Sequence, residues 1–352
     1  METDAPNLSP SLTERRKNEH IDICLHEKVT GDNITTGLEH YRFRHNALPE
    51  IDFADIRLDA TFLGKPLKAP FLISSMTGGT KRAADINRNL AVVAERRGWA
   101  MGLGSIRAAV EHPELSFSYD IRTFAPTIPI IANLGAVQLN YGYGLEQCRK
   151  AVELAGADAL VLHLNSLQEV FQPEGNTNFK GLLNKIEAVC RSLAVPVGVK
   201  EVGWGISGEV AERLYGAGVA FIDVAGAGGT SWSQVEKRRI REPMKRRAAE
   251  AFAGWGIPTA DCIAEIRRRL PRAVVVASGG LLTGVDAAKA LALGADLAGF
   301  GRTLLGPAVH SVERLDETLA RIEWELRAAM FGIGAVNIDE LKHTNALVKI
   351  GG

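Results

Sequence analysis

The sequence predicts a closed (β/α)8 TIM barrel with an N-terminal arm and a long insertion after the sixth strand. From Pro70 onward, eight short apolar stretches alternate with helix-like segments. Eight such units over roughly 250 residues is the usual size of this barrel. Glycine-containing turns lead into several of the stretches, at Gly156, Gly216 and Gly294. A doubly wound open sheet would show the same alternation, so it is the alternative fold.

The eight stretches are predicted to be strands buried on both faces, because they are continuously apolar instead of alternating. They cover residues 71–76, 100–105, 128–133, 158–164, 197–200, 220–225, 273–278 and 297–301. Helices are predicted at residues 83–97, 144–155, 179–193, 208–217, 285–293 and 312–331, with a short helical piece near 337–342.

The first 60 residues lack this alternation, and we expect them to form an arm that contributes to the active site of a barrel spanning residues 61–352. Residues 12–24 could form a helix that starts near Ser11 or Thr13. The charged cluster at residues 16–20 within it would, taken alone, indicate a solvated face. Residues 49–61 are predicted to be extended and to lead into the barrel.

The longest connection follows the sixth predicted strand. It contains the glycine-rich residues 226–232 and a basic run from residue 237 to residue 247. A long connection in a compact domain is usually functional or disordered, and after a barrel strand it lies on the active-site face. We expect the basic run to form a solvated or subunit-facing helix, because the charge of the chain as a whole is balanced.

Composition argues against several classes of function. Lys+Arg and Asp+Glu both number 41, which gives no bias toward nucleic acid or an anionic membrane. No apolar run approaches the roughly 18 residues of a membrane span, and residues 1–10 are acidic and polar, unlike a secretory signal. Cys24, Cys148, Cys190 and Cys262 are far apart and form no metal-spaced pair, which indicates a reducing cytoplasm.

The fourth predicted strand carries polar groups at its C-terminal end. His163 and Asn165 are two residues apart, so they would share one face of a strand, and Gln168 and Glu169 follow where the chain turns. In parallel α/β folds this is the edge where ligands bind, so the four side chains are candidates for chemistry. The alternatives are a capped strand end with a solvated loop and, for His163, a hydrogen-bonded core histidine.

Glycines follow the last two strands, and a lysine ends the fifth. Exposed glycine amides can cradle a phosphate, and barrels commonly bind phosphate after strands seven and eight. This position gives a phosphate-site candidate made of Gly279, Gly280, Gly301 and Arg302. Lys200 could be a Schiff-base lysine, a salt-bridged core group, or a cation beside a planar cofactor. A cofactor there would meet the polar ends of the other strands, at Ser75, Met76, Thr77, Ser105, Asn133 and Thr230.

These motifs together resemble the type II isopentenyl-diphosphate isomerase family over nearly the whole chain. The resemblance rests on Arg16-Lys17-Asn18-Glu19-His20, Met76-Thr77-Gly78-Gly79, Asn133-Leu134-Gly135, His163-Leu164-Asn165 with Gln168-Glu169, Val199-Lys200-Glu201, Gly228-Gly229-Thr230-Ser231-Trp232 and Trp255-Gly256-Ile257-Pro258-Thr259. One departure is Ile106, because the family usually has Gly-Ser-Gln-Arg where this chain has Gly104-Ser105-Ile106-Arg107.

The resemblance implies an isomerase of isoprenoid biosynthesis that interconverts isopentenyl and dimethylallyl diphosphate without net redox change. It implies FMN, used in reduced form, a magnesium ion, and NADPH as the flavin reductant. It also implies a cytoplasmic homo-oligomer, a tetramer or an octamer, with a small diphosphate substrate and no nucleic-acid or membrane partner.

The resemblance also implies roles for residues. Gln168 would assist the reduced flavin in proton transfer, Glu169 would bind magnesium, and His163 and Asn165 would orient substrate or flavin. The substrate would be bound by Arg16, Lys17, His20, Ser105, Arg107 and Gln168. FMN would be bound by Ser75, Met76, Thr77, Ser105, Asn133, Lys200, Thr230, Gly279, Gly280, Gly301 and Arg302.

Three rival functions use similar barrels. A 2-hydroxy-acid oxidase needs a histidine base with an arginine close behind it after strand six, where residues 226–232 offer no histidine. An inosinate-dehydrogenase-like enzyme needs a nucleophilic cysteine in a barrel loop, and no cysteine is predicted at a strand end. A non-catalytic flavin- or phosphate-binding protein does not explain Gln168-Glu169.

Overall fold

The computed structural model describes residues 12–350, so residues 1–10 and Ser11, the possible helix start, lie outside the described part. The arm begins with the predicted helix, which runs two residues further than residue 24. Its elements are α1 (Leu12–His26), β1 (Tyr41–Phe43), β2 (Ala60–Phe62) and β3 (Lys65–Leu67), with 3-10 turns at Leu38–His40 and Phe53–Asp55. The extended segment predicted at residues 49–61 is therefore interrupted by one 3-10 turn.

Eight parallel strands close into a barrel, as predicted, in the order β10-β11-β4-β5-β6-β7-β8-β9. The strands are β4 (Phe71–Ile73), β5 (Ala100–Gly102), β6 (Ile130–Gly135), β7 (Ala159–His163), β8 (Val197–Lys200), β9 (Phe221–Asp223), β10 (Val274–Ala277) and β11 (Leu297–Phe300). Closure comes from the pairing of the last strand with the first, where Ala298 is in register with Phe71. This pairing excludes the open sheet.

Helices surround the barrel, and every predicted helix is present. They are α2 (Lys81–Arg97), α3 (Arg107–Glu111), α4 (Leu145–Ala155), α5 (Ser166–Phe171), α6 (Leu182–Ser192), α7 (Gly208–Gly216), α8 (Trp232–Arg239), α9 (Pro243–Ala251), α10 (Thr259–Arg269), α11 (Gly284–Ala292), α12 (Arg302–His310), α13 (Val312–Phe331) and α14 (Ile338–Lys342). The final strand, β12 (Leu347–Lys349), pairs antiparallel with β1 and so joins the C-terminal segment to the arm.

The β2–β3 hairpin closes the N-terminal end of the barrel. Phe62 and Leu67 are buried in one cluster with Leu72 and Ile131 from the barrel strands. The ring of Phe62 meets the ring of Phe221 edge to face, with centroids 5.3 Å apart. Because this end is filled with apolar side chains, a ligand has access only at the opposite end, where the strands finish. The division of the chain at residue 60 itself remains a prediction.

The insertion after β9 forms two helices, α8 and α9, and the basic run is divided between them. The prediction of a solvated basic helix is wrong for Arg239, whose side chain is only 9% exposed. Arg239 donates to Glu236 at 2.7 Å and to Glu19 of the arm at 3.0 Å, so it fastens α1 to the insertion. Among the helices of residues 12–350, none combines the length and the apolar character that crossing a membrane requires.

Candidate active site

A cavity of about 610 Å³ lies at the C-terminal ends of the barrel strands, a volume typical of small-ligand sites. Every residue predicted for the site lines it. From the substrate, metal and proton-transfer sets these are Arg16, Lys17, His20, Ser105, Arg107, His163, Asn165, Gln168 and Glu169. From the flavin set the others are Ser75, Met76, Thr77, Asn133, Lys200, Thr230, Gly279, Gly280, Gly301 and Arg302.

The arm brings cations to the cavity wall. Arg16 and Lys17 lie one turn or less from His20 on α1, and all three line the cavity instead of forming the solvated face that the cluster alone would indicate. Burial, with Arg16 and Arg107 nearby, lowers the pKa of Lys17 to about 8. Burial also lowers the pKa of Arg16. Cations that repel one another around a cavity favour an anionic ligand with several charges.

His163 ends β7 and is a hydrogen-bonded neutral imidazole. Its Nδ1 lies 2.7 Å from Oδ1 of Asn133 on β6. Because an amide oxygen only accepts, Nδ1 carries the proton and Nε2 is left as an acceptor. Burial, followed by the charges of Lys200 and Lys17, lowers the pKa of His163 to about 3. His163 therefore offers a polar contact that does not titrate near neutral pH.

The short helix α5 holds the amide and carboxylate groups that follow His163. Asn165 donates from Nδ2 to Glu169 Oε1 at 2.8 Å and to Gln168 Oε1 at 3.3 Å. Gln168 and Glu169 are each only 8% exposed, although both line the cavity. The predicted turn after the strand is thus a helical turn in which Asn165 fixes the orientation of both neighbours.

Glu236, on α8, joins these groups to the arm, and the sequence reasoning did not single it out. Its Oε1 accepts from Gln168 Nε2 at 3.2 Å and lies 3.0 Å from His20 Nε2, while its Oε2 accepts from Arg239. Burial alone would raise the pKa of this carboxyl, but His20 and Arg239 outweigh burial and lower it to about 2. The fully buried carboxylate of Glu236, which belongs to the insertion after β9, therefore fixes the side-chain amide of Gln168.

The opposite wall consists of glycine loops and a helix start. Gly279 and Gly280 have φ values of +102° and +81°, which L side chains rarely adopt. A Cβ at Gly229 would lie 2.4 Å from the backbone nitrogen of Gly280, so the loops after β9 and β10 touch. α12 begins at Arg302, and Gly301, Arg302 and Thr303 line the same cavity at the start of this helix, where the first amides have no partner within the helix. The wall therefore fits a phosphate group.

Two buried hydroxyl groups on the same wall have no hydrogen-bond partner among the described residues. They are Ser74 Oγ and Thr77 Oγ1, which follow β4 and line the cavity. Buried polar atoms are rarely left unpaired, because each costs the desolvation free energy without a compensating bond. A flavin lying over the strand ends would supply acceptors and donors here. The residues present therefore fit FMN.

Lys200 stands in a charged network beneath the cavity. Its ammonium donates to the carbonyl of Glu201, and it is in register with Asp223 on the neighbouring strand β9. Asp223 is buried and accepts from Ser278 Oγ at 2.5 Å. Burial raises the pKa of Glu201 to about 7 despite three backbone amides that donate to it. Against the effect of burial, the charge of Lys200 acts to lower the pKa of both Glu201 and Asp223, so these two buried carboxyl groups help to accommodate that charge in the core.

Glu169 is the carboxylate best placed for a metal. One donor already occupies each of its oxygens, from Asn165 and from the backbone amide of Asn176, and each oxygen keeps a further lone pair. No group of three or more His, Cys, Asp or Glu residues surrounds a possible metal position within the described range. Mg²⁺ suits such a site, since it often takes one carboxylate and completes its shell with water and phosphate oxygens.

The sequence analysis did not identify Glu236, Asp223 or Ser74. The three residues differ in how clearly the neighbouring sequence indicates their role. Asp223 was detectable, because a carboxylate inside a continuous apolar strand needs a partner. Ser74 directly precedes the motif that was recognised. Glu236 carried no local signal, because its contact with Gln168 joins residues 68 positions apart. Ile106 is fully buried in the core and its amide donates to the carbonyl of Asn133, so it supports the loop without lining the cavity.

Comparison with known proteins identifies close relatives. A family model described as FMN-dependent dehydrogenase matches residues 148–348. An isopentenyl-diphosphate delta-isomerase of Oceanobacillus iheyensis is 58% identical over 96% of this chain and 97% of the relative. An isopentenyl-diphosphate delta-isomerase of a Nostoc species is 52% identical over 98% of this chain and 99% of the relative.

Solved structures share the fold at much lower identity. A lactate oxidase of Pediococcus acidilactici covers 100% of this chain, and 98% of its own, with a TM-score of 0.65 and 18% identity. A mandelate oxidase bound to (S)-2-phenylpropionate covers 96% of this chain, and 97% of its own, with a TM-score of 0.67 and 19% identity. At this identity the likeness concerns the barrel alone.

Proposed function

The chain is an enzyme of the isopentenyl-diphosphate delta-isomerase family, and we propose that it interconverts isopentenyl and dimethylallyl diphosphate in isoprenoid biosynthesis, with reduced FMN and one magnesium ion. The observation that carries this proposal is the division of the cavity into two walls. Cations from the arm, Arg107 and the carboxylates of Glu111 and Glu169 line one side, and glycine loops with two hydroxyl groups unpaired among the described residues line the other.

The diphosphate is proposed to bind on the arm side. Arg16, Lys17 and Arg107 supply positive charge, and a guanidinium can bind two phosphate oxygens at once. Ser105 supplies a hydroxyl donor, and His20, held by Glu236, closes the pocket. Glu169 would hold the magnesium ion, which neutralises part of the diphosphate charge. The alkene end of the substrate would then extend toward Gln168 on α5.

FMN is proposed to bind on the glycine side, and the match of residues 148–348 to the FMN-dependent dehydrogenase family supports the presence of this cofactor. Its phosphate would lie against Gly279, Gly280, Gly301 and Arg302, and its ring against Lys200, Asn133 and the residues that follow β4. When bound in reduced form, FMN supplies an electron-rich ring that can hold a proton beside the substrate. The ammonium of Lys200 would stabilise negative charge on such a ring, because Lys200 itself is buried and poorly solvated.

The chain's own contribution to proton transfer is proposed to centre on Gln168. An alkene is a very weak base, so its protonation needs a well-placed donor and a shielded site. A neutral amide does not titrate, and Gln168 is instead fixed by Asn165 on its oxygen and Glu236 on its nitrogen. Gln168 therefore orients the reacting carbon and relays a proton. His163 and Asn165 are uncharged and offer hydrogen bonds that orient substrate or flavin beside Gln168.

Replacing Arg302 by alanine is expected to weaken FMN binding by about tenfold, because a charge-assisted contact to the phosphate is worth about 1.5 kcal/mol or more. This variant is a cleaner test than Gly280→Asp, in which a side chain would collide with Thr36 and Gly228 whatever its charge. Flavin affinity is measured by titrating apoprotein with FMN. Arg314→Ala, on the exposed start of α13, is the matched control. Equal flavin affinity in both variants would place the phosphate elsewhere.

Replacing Lys17 by alanine is expected to weaken substrate binding by roughly 1.5–3 kcal/mol at pH 7. Because the pKa of Lys17 is lowered to about 8, its ammonium is present below that pH and is lost above it. The KM of the wild type should therefore rise above pH 8, and Lys17→Arg should flatten that rise, since arginine stays charged. Lys245→Ala, an exposed lysine on α9, should leave KM unchanged. A Lys17→Ala variant with wild-type KM would return the arm to a structural role.

The structure also bears on the rival chemistries. Cys24 lines the cavity from α1, which the sequence did not indicate, but burial raises the pKa of its thiol to about 11. A thiol that stays protonated at neutral pH is a poor nucleophile, so an inosinate-dehydrogenase-like mechanism gains no support. The oxidase relatives share only the barrel, and the stretch after β9 that would carry their histidine is occupied by Gly228, Gly229 and Thr230.

Three further features are part of the proposal. NADPH would reduce the flavin before the first turnover, the protein would act in the cytoplasm, and it would assemble as a tetramer or octamer. The four cysteines are free, which suits a reducing compartment. The direct test of the function is to incubate reduced, flavin-loaded protein and Mg²⁺ with isopentenyl diphosphate, and in parallel to incubate oxidised, flavin-loaded protein in air with lactate or mandelate. Product from the diphosphate alone supports an isomerase, and oxidation of the hydroxy acids would support an oxidase.

A further inference from the structure

The loop that follows α5 folds back onto the residue proposed to bind magnesium. The amide of Gly175 donates to the carbonyl of Gln172 at 3.0 Å, which closes a tight turn. A Cβ on Gly175 would lie 1.7 Å from the carbonyl oxygen of Glu169, so this return requires a residue without a side chain. The turn places the backbone amide of the next residue, Asn176, 2.5 Å from Glu169 Oε2.

The side chain of Asn176 reaches in a different direction. Its Oδ1 accepts from Gln138 Nε2 at 3.0 Å and lies 3.4 Å from Nη1 of Arg107, which donates to it. Gln138 follows β6, and Arg107 begins α3 after β5. One residue thus connects the loops after three successive barrel strands. Asn176 itself is not among the residues that line the cavity, so it stands behind the groups that a ligand would touch.

Asn176 links two groups that must act on the same ligand. A diphosphate that bridges a metal ion and a guanidinium has a fixed span, so the carboxylate and the arginine need a fixed separation. Arg107 is also held by Glu111, whose Oε1 accepts from Arg107 Nε at 2.8 Å on the half-exposed rim, and by the hydroxyl group of Tyr143. An exposed ion pair of this kind contributes little to positioning. The neutral oxygen of Asn176 holds Arg107 without competing for its charge.

We propose that Asn176 is a positioning residue. Its backbone amide holds the carboxylate of Glu169, and its side chain holds the guanidinium of Arg107. The metal-binding and diphosphate-binding groups are thereby kept at a fixed separation. This inference rests on the proposed function for the identity of the ligand. It assigns a role to the loop after α5 that neither the cavity lining nor the relatives supply.

The side-chain contact is tested with Asn176→Ala in the reduced, flavin-loaded enzyme. We expect KM for isopentenyl diphosphate to rise about tenfold, because a hydrogen bond to a charged group is lost. The magnesium concentration for half-maximal activity, kcat and flavin content should stay close to wild type, because the backbone amide remains. Asn178→Ala is the matched control, since its exposed side chain accepts only from the Lys180 amide. A Km equal to that of the control would overturn the inference.

A double-mutant cycle shows whether Asn176 acts through Arg107. If it does, Arg107→Ala combined with Asn176→Ala should have a KM no higher than that of Arg107→Ala alone. Full additivity of the two effects would contradict the inference. Gly175→Ala tests the backbone contact, because the added methyl group must move the loop away from Glu169. It should raise the magnesium requirement, and an unchanged requirement would show that the backbone contact does nothing.

The same variants distinguish this inference from the proposed function. If the wild type does not convert isopentenyl diphosphate, the proposed function fails. The cycle is then repeated without any reaction, by measuring the binding of magnesium pyrophosphate with calorimetry. The four proteins compared are the wild type, Asn176→Ala, Arg107→Ala and the double variant. Coupling between Asn176 and Arg107 in that measurement supports the positioning role, and additive losses of affinity refute it.

Discussion

Replacing Gln168 by alanine is expected to lower kcat and kcat/KM together by about 10²–10⁴-fold, the usual contribution of positioned proton-transfer groups. Asn165 and Glu236 hold the amide in one orientation, so the side chain is prepared for the transition state before substrate binds. A loss confined to the transition state leaves KM nearly unchanged. Steady-state kinetics at saturating Mg²⁺ gives both constants, and flavin absorbance confirms that the cofactor is still bound.

The magnesium dependence of the Gln168→Ala variant separates its role from that of its neighbour. Among the described residues the side chain of Gln168 makes no direct hydrogen bond to that of Glu169, and both accept from Asn165, so the half-saturating magnesium concentration should match the wild type. Recovery of activity at high magnesium would show instead that Gln168 belongs to the metal site. The assignment of Gln168 to the reacting carbon would then be wrong.

Replacing Glu169 by glutamine is expected to raise the magnesium concentration for half-maximal activity by at least about tenfold. The amide keeps one oxygen but loses the charge that a hard divalent cation prefers, and changes around a metal commonly cost 10–100-fold in affinity. FMN binding should be intact, because the glycine wall lies on the other side of the cavity. Activity measured across a magnesium titration gives the shift.

Glu187→Gln is the matched control for this substitution. Glu187 lies on α6 and pairs with Arg191 on the surface, so the same loss of charge occurs away from the cavity. Its magnesium dependence should equal that of the wild type. If Glu169→Gln behaves like Glu187→Gln, the metal is bound by other groups, and the division of labour between Gln168 and Glu169 has no basis.

The barrel could be predicted from the sequence because its strands are continuous apolar runs with regular helical segments between them. The predicted ends were less accurate for a physical reason. Residues 71–76 were predicted as strand, yet β4 ends at Ile73, because Ser74 and the residues after it leave the sheet to face the cavity. The predicted strand at residues 128–133 erred in the other direction, since β6 continues to Gly135.

The candidate site could be predicted where function leaves a local pattern, and not where it depends on distant contacts. His163, Asn165 and Glu169 were found because they follow a buried strand within a few residues. Glu236 was not found, because a glutamate in a basic helix has no local mark of burial, and only folding brings it to Gln168. Asn176 was missed for the same reason, since its partners lie on three different loops.

The solved relatives show why the fold does not decide the chemistry. Lactate and mandelate oxidases share this barrel at 18–19% identity, and fold likeness at that level says nothing about the reaction. What separates the chain from them is the side chains at the strand ends. Cations of the arm and a carboxylate beside Gln168 suit a diphosphate, and the neutral His163 does not suit a general base near pH 7.

The central claim is isomerisation without net redox change, and the number of electrons consumed per product molecule tests it most directly. Wild-type protein is loaded with FMN, reduced once under anaerobic conditions, freed of excess reductant, and mixed with Mg²⁺ and isopentenyl diphosphate. We expect many molecules of dimethylallyl diphosphate per flavin, with the flavin still reduced at the end. Product limited to one molecule per flavin, with the flavin oxidised in step, would contradict it.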